Sequence, residues 1–241
     1  MDPLHIVLLI IIGMGGGFVQ RVSGFGLGIF VMLFLPHFLP THTAAAAISS
    51  LFACGTATYN AVRYRKDISL KMVLPLFLAA MVVIPFAVRF SSVVSGRVFE
   101  MLLGGVLIVL SIYLLFFNKR IKIKPTVPNG IIAGALGGAL GGLFSTGGPP
   151  VVLFLTQATT DKMVYFASIQ FYFCLSNIYS TAMRVFNGII TADVLLYAVI
   201  GFAGCMVGDQ LGRLVFDRLD SEKIKLVIYI AMTVSGILMM I

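Results

Sequence analysis

The chain has 241 residues, 59% of them hydrophobic and only 11% charged, with a mean hydropathy of +1.06. A soluble domain carries about a quarter charged residues, so a soluble fold is excluded and the chain reads as one polytopic membrane unit. The net charge of +8 lies in short loops between apolar stretches, the pattern of the positive-inside rule and not of a nucleic-acid surface.

Apolar segments are predicted at residues 4–35, 43–62, 72–88 and 101–117, then at 130–155, 163–183, 194–214 and 226–241. No Lys or Arg precedes the first of them, so it is taken as a membrane segment and not a signal peptide. As one straight helix it would be roughly 48 Å long against a hydrocarbon core of about 30 Å. It must be tilted, broken or folded back. Both it and the fifth segment contain Gly-rich breaks, Gln20-Arg21-Val22-Ser23-Gly24-Phe25-Gly26 and Ser145-Thr146-Gly147-Gly148-Pro149-Pro150. We therefore split them into half-helices at 4–19 with 25–35, and 130–144 with 149–155.

Residues 118–128 join a charge run to two prolines and form the linker between a first half, 1–117, and a second, 129–241. The halves resemble a duplication. Ser49, Ala53, Thr56, Asn60 and Arg63 match Gln170, Cys174, Asn177, Thr181 and Arg184 at one offset, each set forming a helical stripe. These stripes either line a substrate path or hydrogen-bond between helices, with Gln170 and Asn177 the better candidates for lining. Gly201, Gly204, Gly208 and Gly212 read as a helix-packing face. Asp209 either takes up a coupling proton or pairs with Arg213 one turn away. Cys54, Cys174 and Cys205 read as small core residues.

Charge placement distinguishes the topologies. If both broken segments are re-entrant, one face collects thirteen basic residues, Arg63, Arg65, Lys66, Lys71, Lys119, Arg120, Lys122, Lys124, Lys162, Arg213, Arg218, Lys223 and Lys225. The other keeps Arg89, Arg97 and Arg184. That asymmetry predicts a cytoplasmic first face, outside termini and two inverted repeats of four segments each, an all-α membrane fold suited to alternating access.

Irregular backbone at membrane depth persists only where protein or a cavity satisfies it. In the second break Ser145 or Thr146 is expected to cap a helix whose first turn holds Pro149 and Pro150, leaving the Gly147 and Gly148 amides free. In the first, Ser23 and Gly24 are expected to cap a helix from Phe25, with Gln20, Arg21 and Gly26 beside them. Two such helix N-termini would hold a small anion. The bland alternatives are close helix packing at the glycines and an Arg21 that reaches for the interface. Arg21 makes the first half the expected seat of charge selectivity.

The run Gly17-Phe18-Val19-Gln20-Arg21-Val22-Ser23-Gly24-Phe25-Gly26 leading to Leu35-Pro36, with Gly137-Gly138-Ala139-Leu140-Gly141-Gly142-Leu143-Phe144 before the second break, resembles the TauE/SafE family of sulfite exporters and related anion permeases. The resemblance spans the whole chain. It implies transport of a small anion, often sulfur-containing, across the bacterial cytoplasmic membrane.

No Walker-type motif is present, so the expected function is secondary transport of a small sulfur-containing or carboxylate anion, with H+ or Na+ as a possible coupling ion and no cofactor. A homo-oligomer is compatible with this reading. The alternatives are an anion channel or an intramembrane enzyme with Ser145 as nucleophile. The enzyme is disfavoured because the only histidines, His5, His37 and His42, lie near segment ends of the first half.

Overall fold

The computed structural model describes residues 3–39, 41–117, 123–215 and 221–240. These residues form helices α1 (Pro3–Ser23), α2 (Leu27–Phe34), α3 (His42–Arg63), α4 (Leu70–Val93), α5 (Gly96–Ile112), α6 (Val127–Phe144), α7 (Gly148–Ala158), α8 (Lys162–Phe186), α9 (Ala192–Val215) and α10 (Ser221–Met240). The chain is an all-α polytopic membrane protein. Linker residues 118–122 and the loop charges Asp217, Arg218 and Asp220 lie outside the described residues.

Among the described residues, α1, α4, α5, α6 and α9 are long and apolar enough to cross a bilayer. Their outward faces are apolar along their middles, with Leu74, Val82, Phe86 and Phe90 exposed on α4 and Val199, Val207, Leu211 and Leu214 on α9, while exposed charges such as Lys71, Arg89, Asp193 and Arg213 lie near the helix ends. Polar groups turn inward instead, which is how a chain in lipid satisfies them. The helices α3 and α8 are long but carry the polar stripes, and they pack against each other at the centre through Ser50 to Asn177 and Thr58 to Cys174.

Both broken segments double back on themselves. Gly16 of α1 lies against Leu27 and Val31 of α2, and Gly15 against Phe30, so α2 runs antiparallel along α1. Likewise Gly137 of α6 faces Val151 of α7 and Gly130 faces Phe154. The end of α7 at Ala158 shares a recess with Ser69, Met72 and Val127, where α4 and α6 begin.

The hairpins enter the bundle from opposite ends. Helix α1 packs parallel to α9, with Gly204 on Ile10, Gly208 on Met14 and Gly212 on Phe18 and Arg21. Helix α6 packs parallel to α4, with Gly134 on Leu76, Gly138 on Ala80 and Gly142 on Ile84 and Ala87. The glycine row of α9 is thus a packing face, where a Cβ would strike the backbone of α1. Since α3 runs from the end where α1 starts, and α4 returns, α1 and α6 point towards each other. Helix α9 thus packs along α1, and α4 along α6.

Two cap expectations are corrected. The α2 helix starts at Leu27 with Gly26 as its N-cap, not at Phe25 with Ser23 and Gly24. Gly24 and Gly26 have φ of 80° and 101°, conformations open to glycine, and they form the turn itself. In the second hairpin Ser145 is the left-handed C-cap of α6, with φ 59°, so the N-cap of α7 falls to Gly147. Ser145 is the only non-glycine residue with positive φ among the described residues.

Candidate functional site

Half-way along α3, at the level of Ala53, a small cavity of ≈ 40 Å³ lies between the tips of the two hairpins. The start of α2 contributes Gly26, Leu27, Gly28 and Ile29, and the second break contributes Ser145, Thr146, Gly147 and Gly148. The tips touch directly: a Cβ on Gly28 would overlap the Ser145 carbonyl oxygen, and Gly148 sits against Phe25. Neither α2 nor α7 has a side-chain cap, so each presents its positive dipole end, α2 with its first amides and α7 with few, since Pro149 and Pro150 carry none.

The remaining wall comes from α8, as Tyr172, Phe173, Ser176, Asn177 and Ser180. These positions recur at three- and four-residue spacing and form one helical face. Four side-chain hydroxyls around the cavity are buried without a hydrogen-bond partner, those of Ser145, Thr146, Tyr172 and Ser180. A buried polar group left unpaired costs about 1–3 kcal/mol, so their convergence on one cavity points to a ligand that completes them.

The sequence-predicted residues divide. Gln20, Gly26, Ser145, Thr146, Gly147, Gly148 and Asn177 line the cavity. Gln20 donates from Nε2 to Oε1 of Gln170 (3.0 Å), and Gln170 donates in turn to the Gly24 carbonyl (2.9 Å). Gln170 and Gly24 therefore lie behind the wall and hold the first turn in place. Asn177 accepts from Ser50 Oγ at 3.2 Å and donates to the Phe173 carbonyl at 2.8 Å. Ser23 bonds locally, to the carbonyls of Val19 and Phe25.

Arg21 is not brought to the cavity. Its guanidinium turns the other way and donates to Asn60 Oδ1 (3.3 Å) and Tyr64 Oη (2.8 Å). It also lies over the rings of Phe166 and Tyr64, with Cζ 5.0 and 5.4 Å from their centroids. Asn60 passes the contact on, donating to Asp209 Oδ1 at 3.2 Å. Asp209 is 2% exposed and meets Asn60 in place of the expected ion pair with Arg213. Asn60 and Thr56 of the α3 stripe thus serve packing, Thr56 bonding to its own helix at Phe52 and Ala53.

Arg184 also departs from expectation. It is no loop residue but lies in the last turn of α8, fully buried at 0% exposure. Its Nη2 donates to the carbonyls of Gly142 (2.8 Å) and Gly141 (3.4 Å) at the end of α6, while Nε and Nη1 have no partner. Tyr172, Ser176 and Ser180 were missed by the sequence reading, although the spacing 173, 176, 177, 180 was there to be read.

A family model described as Sulfite exporter TauE/SafE matches residues 9–239, nearly the whole chain. No curated protein and no solved structure matches it.

Proposed function

Since the chain belongs to the TauE/SafE family, a sulfite exporter family, we propose that it is a secondary transporter that binds a small sulfur-containing or carboxylate anion in the cavity between the two hairpin tips. One observation carries this reading: two uncapped helix N-termini and four unpartnered hydroxyls face one cavity half-way along the bundle. Amides and hydroxyls in a dry site replace the hydration of an oxyanion without requiring a counter-charge at each oxygen. Ser145, Thr146, Gly147 and Gly148 hold the anion from one side, and Gln20, Gly26 and Asn177 from the other.

In this mechanism the hairpins are re-entrant, the halves are inverted repeats, and the two rock against each other about the occupied site in the bacterial cytoplasmic membrane. The opposed entry of α1 and α6 and the exchange of α4 and α9 between halves support it. A gradient of H+ or Na+ drives the cycle. Against a hydrolase stands Ser145 itself, whose Oγ has no base beside it, while His42 stacks on Phe99 with ring centroids 4.4 Å apart.

The test is counterflow in proteoliposomes with sulfite, thiosulfate, a sulfonate and a dicarboxylate. Saturable exchange of at least one is expected. Unitary currents would identify a channel, and exchange that survives unchanged in a Ser145→Ala/Thr146→Val double variant would remove the site.

A further inference from the structure

We infer that Arg184 supplies the fixed positive charge of the anion site, a role that rests on the cavity being that site. The side chain is completely enclosed, yet only Nη2 is engaged, and its acceptors are the two carbonyls that end α6. One acceptor, that of Gly141, belongs to a residue lining the cavity, and Ser180, one helical turn before Arg184, lines it as well. The Nε and Nη1 donors remain buried and unpartnered. Among the described residues no carboxylate lies within ion-pair distance of this guanidinium.

The C-terminal dipole of α6 offsets part of that charge, about half an elementary unit. The rest has no protein partner in a position cut off from water, and a buried cation without one is held only when something else completes it. The adjoining cavity also faces two uncapped helix N-termini, which favour an anion. An oxyanion there neutralises Arg184 and takes up its spare donors, either directly or through the Ser180 and Ser145 hydroxyls. Arg21 does not act in this way, since both its Nη groups are engaged by Asn60 and Tyr64, only Nε is left without a partner, and its charge faces Asp209 and not the cavity.

The experiment is a binding titration of sulfite to the purified full-length protein, run on both sides of the second ionisation of sulfite so that mono- and dianion are compared. Wild type is expected to prefer the dianion. Arg184→Gln keeps a donor for the Gly142 carbonyl but removes the charge, and binding should fall by at least about tenfold with the dianion preference lost. Arg184→Lys should retain that preference, and Arg21→Gln should shift affinity by less than about threefold. A folded Arg184→Gln that binds as wild type, or that weakens both ionic forms equally, overturns the inference and leaves the cavity reading intact. Failure of wild type to bind sulfite, thiosulfate, a sulfonate or a dicarboxylate defeats the cavity reading itself. If Arg184→Gln does not fold, as judged by its melting curve, loss of the dianion preference in Arg184→Lys overturns the inference.

Discussion

Among the described residues two guanidinium groups are buried at three-helix junctions, and they are treated differently. Arg21 lies where α1, α3 and α9 meet, and Arg184 where α6, α8 and α4 meet. The first has both Nη groups engaged, by an amide and a phenol, and lies by two aromatic faces and a nearby carboxylate, with only Nε unpartnered. The second has two backbone carbonyls and, among the described residues, no other hydrogen-bond partner. The one is a brace and the other an open charge. Selectivity for charge, expected from the sequence in the first half, belongs on this geometry to the second.

The largest effect that would break this contrast is at Asp209. Asp209→Ala leaves Arg21 and Asn60 without their carboxylate, and we expect a loss of about 3 kcal/mol in stability, read as a fall in melting temperature in detergent. Adding Arg21→Met should recover part of it, because the two residues share one network and their effects are not additive. An unchanged melting curve in Asp209→Ala would mean that the first junction is no brace. Next in size is Ser145→Ala with Thr146→Val. Neither hydroxyl has a protein partner to lose, so stability should hold or rise slightly while sulfite binding weakens by about tenfold. A matching loss of stability would show those hydroxyls to be structural. Smallest is Gly141→Ala, where an added Cβ meets nothing nearer than 3.8 Å. Its melting temperature should move by no more than the equivalent of about 0.5 kcal/mol, with reduced counterflow because the methyl narrows the cavity.

Much of the fold was legible because bilayer thickness forces long apolar runs, and all eight segments recur as helices or hairpins. The breaks were legible too, since glycines gather beside polar residues at 20–26 and 145–148, and the prolines at 149 and 150 suit the first turn of a new helix. Their caps were not. Nothing in Ser145 announces a left-handed conformation, which follows from the tight return of α7 onto Gly137 and Gly141. Arg184 was misplaced because an arginine at the end of an apolar run looks the same whether it reaches water or a helix end. Only the approach of α6, forty residues earlier, decides it. Arg21 was placed at the cavity because it adjoins Gln20, but neighbours along a helix point about 100° apart, and only Gln20 faces inward.

One consequence of the double proline remains. Pro149 and Pro150 have no amide hydrogen, so the first turn of α7 offers few fixed donors, and most of the polar lining around them is hydroxyl. An amide points one way, whereas a hydroxyl swivels and both gives and receives a hydrogen bond. A cradle of rotors adapts to trigonal or tetrahedral oxyanions and to their protonated forms, and it loosens its hold by rotation without moving the backbone. Such a grip trades tightness for release, the quality that sets how many ions a carrier moves each second.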